Sequence, residues 1–158
     1  MRVSRLLLAL LLLAPVGRLH AQEAAIITAS PSHAGYLFDH ESLSSLNAQY
    51  MLVMQRDGNL VLYDAGCGRS SQCAVWNSGS YREEGQYYMA IQPDGNLVIY
   101  TGRPPSATDR HIWSSQTSGD PDSYFLAVQD DGNLVIYRGT SMANRSAVWS
   151  SRTGKIGG

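Results

Sequence analysis

The stretch Met54-Gln-Arg-Asp-Gly-Asn-Leu-Val-Leu-Tyr63 returns twice without a gap, as Ile91-Gln-Pro-Asp-Gly-Asn-Leu-Val-Ile-Tyr100 and Val128-Gln-Asp-Asp-Gly-Asn-Leu-Val-Ile-Tyr137. Gln55, Gln92 and Gln129 are 37 residues apart. The three tryptophans keep nearly the same beat, with Trp76, Trp113 and Trp149 spaced by 37 and 36 residues. Each follows Val75, Ile112 or Val148 and precedes Asn-Ser or Ser-Ser. Self-similarity at a fixed period is the mark of a repeat architecture, so one unit of about 37 residues is used three times.

Each unit reads as strands. Its apolar residues are β-branched or aromatic, they alternate, and Gly, Pro, Asp and Ser fall between the runs. No stretch after the N-terminal segment carries an apolar i, i+3, i+4 stripe over three helical turns. The expected fold is all-β, with three small antiparallel sheets around a pseudo-threefold axis. One such sheet cannot bury its apolar face alone, and three packed together make a common core. One tryptophan per unit, at equivalent positions, suits that centre better than it suits ligand contact, because a small β-core needs large aromatic area.

The turn fixes the register. Pro93 precedes Asp94-Gly95; Pro favours the first central position of a type I turn, and the following Gly can take a left-handed conformation. A type I turn ending in such a Gly makes a three-residue hairpin loop with a bulge. The loops are then Arg56-Asp57-Gly58, Pro93-Asp94-Gly95 and Asp130-Asp131-Gly132. Gln55 falls opposite Asn59, Val53 opposite Val61 and Met51 opposite Tyr63. Alternation puts Gln55, Asn59, Val61 and Tyr63 on one face, with Asp57 leaning over it from the turn. Leu52, Met54, Leu60 and Leu62 take the other face, toward the core. Extended, Gln55 to Tyr63 would span roughly 26 Å; the hairpin folds them together. A sugar hydroxyl both donates and accepts, so Asp acceptors beside Asn and Gln amides suit it. Val offers an apolar contact to a pyranose C–H face, and Tyr a further polar group. Asp-Gly-Asn alone is ordinary turn chemistry. Turn geometry does not, however, ask for Gln before the loop or Tyr four residues after Asn, and all three copies have both.

Outside the repeats, Arg2 and Arg5 precede an apolar run from Leu6 to Val16, and Gly17-Arg18-Leu19-His20-Ala21 ends in a small residue. This is the order of a secretory signal, and the run is too short to span a bilayer. Cleavage is expected after Ala21, leaving residues 22–158 as one exported domain with no membrane span. Removing Arg2, Arg5 and Arg18 from the twelve Lys and Arg leaves nine against thirteen Asp and Glu, a net of −4. No basic patch or stripe is present, so nucleic acid is not an expected partner. Cys67 and Cys73 are the only two cysteines; an even count in an exported chain points to a disulfide. It would close a short loop, contributing about 2 kcal/mol in the chain-entropy model. No further ligands lie near enough in sequence for a metal site.

Catalysis finds no support. His33, His40 and His111 stand in unrelated contexts, and no Gly-x-Ser-x-Gly elbow or nucleophile–base pairing is visible. The expectation is a protein that is not an enzyme and needs no cofactor.

Gln-x-Asp-x-Asn-x-Val-x-Tyr, unbroken three times from about Tyr36 to Thr153, resembles the signature of the bulb-type (monocot, snowdrop-type) mannose-binding lectins. The resemblance implies a β-prism II fold of three four-stranded sheets and metal-independent recognition of mannose or mannosylated glycans. It implies that Asp57 and Asn59 hold the axial O2 hydroxyl, Gln55 reaches O3, Tyr63 reaches O4 and Val61 packs on the ring carbons. The same roles fall to Gln92, Asp94, Asn96, Val98 and Tyr100, and to Gln129, Asp131, Asn133, Val135 and Tyr137. Plant members commonly carry a Cys where this chain has Gly58, bridged to the next unit; that Cys is missing here. The family often dimerises by exchanging C-terminal strands, so Ser146–Thr153 is a candidate for a homodimer. Asn144-Arg145-Ser146 is also a glycosylation sequon, meaningful in a eukaryotic secretory route and otherwise a chance match. A second reading keeps the fold and makes the protein an antibacterial or surface-attachment factor acting through a protein or cell-envelope partner.

Overall fold

The computed structural model describes residues 24–104 and 110–153; the segment read as a secretory signal, residues 1–21, lies outside them. The described chain forms three four-stranded antiparallel sheets, and no α-helix occurs among the described residues. The first repeat supplies β4 (Tyr50–Met54), β5 (Leu60–Asp64) and β6 (Ala74–Asn77). The second supplies β7 (Tyr87–Ile91), β8 (Leu97–Thr101) and β9 (His111–Ser114). The third supplies β10 (Tyr124–Gln129), β11 (Leu134–Ser141) and β12 (Asn144–Ser150). The fourth strand of every sheet comes from the N-terminal side. β1 (Ala24–Ala29) pairs with β10, β2 (Gly35–Phe38) with β7, and β3 (Ser42–Ser44) with β4. A repeat is therefore three strands, and the segment before it visits all three sheets and ties them together.

The hairpin register is the one the turn chemistry demands. Met51 faces Tyr63, Val53 faces Val61, and the Gln55 N–H donates to the Asn59 carbonyl at 3.0 Å. Alternation then sends Leu52, Met54, Leu60 and Leu62 inward, where they are fully buried. Met89, Ile91, Leu97 and Ile99 do the same in the second sheet, and Leu126, Val128, Leu134 and Ile136 in the third. All join one core. Burying each contributes about 1.5–3 kcal/mol, so this layer is the main source of stability.

Each sheet carries a bulge at the same place. Pairing slips between Leu62 and Tyr63, between Ile99 and Tyr100, and between Ile136 and Tyr137. The residue left unopposed is the apolar one before the tryptophan, Val75, Ile112 or Val148. An extra residue in one strand changes which face the following side chain takes. Trp76, Trp113 and Trp149 thus stand opposite Leu62, Ile99 and Ile136, on the core side. Their rings meet edge to face in a triangle, with centroids 5.6, 5.9 and 6.3 Å apart. They are only partly buried and border the aliphatic layer without replacing it.

A second threefold contact closes the seams between sheets. Tyr50, Tyr87 and Tyr124 open β4, β7 and β10, and all three are buried. Tyr87 lies against Gly58, Tyr124 against Gly95 and Tyr50 against Gly132, so each hairpin tip docks on the next sheet in a closed cycle. A Cβ at these glycines would stand 2.8, 2.5 and 2.6 Å from a ring carbon, and their φ values are +80°, +82° and +86°. The turn needs glycine for its backbone, and the seam needs it for space.

Candidate functional site

The turns come first, since they place the polar groups. In each loop the Asp carboxylate accepts the backbone N–H two residues on: Asp57 from Asn59 at 2.9 Å, Asp94 from Asn96 at 3.0 Å, Asp131 from Asn133 at 2.9 Å. This Asx turn engages one of the two carboxylate oxygens and fixes the side chain over the hairpin face. Across the strands, Gln55 Nε2 donates to the Tyr63 hydroxyl at 2.6 Å, Gln92 to Tyr100 at 2.7 Å and Gln129 to Tyr137 at 2.9 Å. All fifteen motif side chains are therefore gathered into three groups of five, one per sheet.

The asparagines are oriented by residues that the spacing of the motif does not reveal. Ser78 Oγ donates to Asn59 Oδ1 at 3.0 Å, Ser115 to Asn96 at 3.2 Å and Ser151 to Asn133 at 3.1 Å. The same hydroxyls accept the backbone N–H of Leu60, Leu97 and Leu134. Behind them Ser80, Thr117 and Thr153 donate to the carbonyls of Gly58, Gly95 and Gly132. With Oδ1 held by serine, the amide presents its N–H2 end away from it, as a donor. The sequence signal is the Ser that follows each tryptophan by two residues. Its role needs the fold, which brings it beside an Asn some nineteen residues away.

The faces are less open than alternation implies. Val61, Val98 and Val135 are 2–3% exposed, and Tyr63 is 4%. Little of each valine is therefore left to meet a ligand. What covers them differs between sheets. On the first, Val53, Val61, Tyr63 and Cys73 cluster with Met51 and Ala74. The Cys67–Cys73 disulfide is formed, and its loop carries Arg69 to within 3.3 Å of Met51 Sδ. An open cleft of about 340 Å³ there is lined by Gln55, Arg56 and Asp57 together with His40, Arg69 and Glu84. On the third, Phe125 and Tyr137 pack at 5.3 Å, and Arg145 from β12 lies 4.9 Å over the Tyr137 ring. On the second, Tyr100 stacks on Tyr88 at 5.2 Å.

Each group joins a carboxylate acceptor, an oriented amide donor, a second amide and a phenol over an apolar strip. Such a set can pair several adjacent hydroxyls of one ring while touching its C–H face. Among the described residues no group of three or more His, Cys, Asp or Glu side chains could hold a metal ion. No described helix is long and apolar enough to cross a membrane.

No protein-family model matches the chain, and no curated protein does. Solved structures match it over most of its length. A monomeric monocot mannose-binding lectin from Gastrodia elata is 34% identical, with a TM-score of 0.65, over 83% of this chain and 99% of that one. A Polygonatum cyrtonema lectin in complex with monomannoside is 31% identical, at 0.59, over 84% and 99%. The mannose-specific agglutinin of snowdrop (Galanthus nivalis) bulbs, complexed with methyl-α-D-mannoside, is 28% identical, at 0.58, over 84% and 99%.

Proposed function

Because this chain belongs to the family of monocot, bulb-type mannose-binding lectins, we propose that its three hairpin faces are its sugar sites and that it acts as a secreted, metal-independent lectin for mannosylated glycans. The observation that carries this reading is the identical closure of all three faces. In each, Asp is fixed by its turn, Asn by a serine and Gln by the tyrosine. A repeat kept only for folding would need the glycine and the core leucines, not this polar set.

In this reading Asp57 and the N–H2 end of Asn59 take the axial O2 hydroxyl, one accepting and one donating. Gln55 and Tyr63, already bonded to each other, take O3 and O4, and Val61 meets the ring carbons. Gln92, Asp94, Asn96, Val98 and Tyr100 act alike, as do Gln129, Asp131, Asn133, Val135 and Tyr137. Selectivity over an equatorial O2 rests on the Asp–Asn pair, because a misplaced hydroxyl leaves both unpaired. The lectin relatives and the absence of any nucleophile–base geometry in the motif support a role without catalysis. Export is supported by the Arg2–Ala21 signal pattern and by the Cys67–Cys73 bridge. β12 pairs with β11, and a homodimer by exchange of C-terminal strands would form this same pairing with the β11 of a second copy.

The test is retention on mannan resin in EDTA, with elution by mannose set against galactose. Release by mannose alone is the expected result. Failure of the folded protein to bind would refute the reading and favour a protein or cell-envelope partner on the same fold.

A further inference from the structure

The three faces share one polar set but differ in what lies beside it. On the second sheet, β2 runs along β7 with Tyr36 opposite Ala90 and Phe38 opposite Tyr88. Ala90 and Tyr88 in turn face Val98 and Tyr100. Paired residues share a face, so Tyr36 and Phe38 continue the surface that carries the motif. The rings form a connected group: Tyr36–Phe38 at 5.9 Å, Tyr36–Tyr88 at 5.9 Å, Phe38–Tyr88 at 6.1 Å and Tyr88–Tyr100 at 5.2 Å. Tyr36 is 41% exposed although it is aromatic. Arg103 closes the far end, 5.8 Å over the Phe38 ring and paired with Asp39 at 3.2 Å.

The other sheets have no such surface. The positions equivalent to Tyr36 and Phe38 are Ser42 and Ser44 on the first sheet, and Ile26 and Thr28 on the third.

We propose that the second face is an extended site, in which the hairpin group holds a terminal mannose and the Tyr36–Phe38 platform carries the next sugar of an oligosaccharide. This rests on the mannose reading of the hairpin group. β2 lies two strand spacings from β8, about 10 Å, which suits the second ring of a chain whose first sits on Val98 and Tyr100. Aromatic faces are large, rigid and apolar, and the C–H face of a pyranose is their natural partner in water.

The experiment silences the other two faces with Asp57→Asn and Asp131→Asn, then compares methyl mannoside with a mannotriose by calorimetry. The triose is expected to bind about tenfold tighter. Adding Tyr36→Ala should bring the two ligands to within about twofold and leave methyl mannoside unchanged, while Tyr36→Phe keeps the preference. Thermal melting checks that the Tyr36→Ala protein stays folded. Methyl mannoside binding with no triose preference, or a preference surviving Tyr36→Ala, overturns the platform alone. No binding of methyl mannoside to the unmutated protein overturns the mannose reading and the platform with it.

Discussion

Ser78 shows how far the proposed sugar site depends on a side chain outside the repeated motif. Its hydroxyl donates to Asn59 Oδ1 and accepts the Leu60 N–H, each at 3.0 Å. Ser78→Ala strands a backbone donor, which costs about 1–3 kcal/mol, and frees the Asn59 amide to rotate. We expect a lower melting temperature and about a tenfold loss of mannoside affinity at the first face, the worth of about one hydrogen bond. The second and third faces, held by Ser115 and Ser151, should keep theirs. A titration of methyl mannoside followed by amide NMR separates the faces; equal weakening at all three would show that the serine acts through the fold and not through Asn59. The motif residues were legible because the hairpin is local and its register follows from the turn. The serine was visible only as part of a beat, since its partner lies on another strand.

At the level of elements, the same division holds. β4–β5, β7–β8 and β10–β11 could be read from alternation and Asp-Gly, with Leu60 and Val61 on opposite faces as expected, though Val61 is buried as well. That β1, β2 and β3 each finish a different sheet could not, because the pairing of Leu37 with Met89 has no local sequence signal. The seams were equally hidden. Gly58 was expected to stand where relatives carry a bridging cysteine, and in the fold the Tyr87 ring of the next unit fills that place. Gly95 tests the seam. A Cβ in its left-handed backbone costs about 1–2 kcal/mol, and overlap with the Tyr124 ring at 2.5 Å adds about 1–3 kcal/mol. Gly68 is the control, since it has φ +111° but open space around its Cβ position. In urea denaturation Gly95→Ala should lose clearly more stability than Gly68→Ala. Equal losses would mean that the ring yields freely and the seam adds little.

For the whole molecule, the useful quantity is the number of faces on one rigid body. A single shallow hairpin with a few polar contacts to neutral hydroxyls supports millimolar affinity, about −4 kcal/mol. Three such faces on sheets that share one core cannot shift relative to one another, so a branched glycan that spans two of them gains avidity without new contacts. That gain is about 10²–10⁴ when the spacing fits and nothing when it does not. The protein should therefore bind methyl mannoside weakly and mannan far more tightly. Replacing Asp57, Asp94 and Asp131 by Asn one at a time should lower mannan binding in large steps, while the affinity of each remaining face for methyl mannoside stays constant. If one step is large and the other two are small, one face carries the binding, and the second face, beside the Tyr36–Phe38 rings, is the one to suspect. If methyl mannoside binds as tightly as mannan, the three sites act singly and the threefold repeat serves the core alone. Surface plasmon resonance on immobilised mannan, with free mannoside as competitor, distinguishes these outcomes in one series.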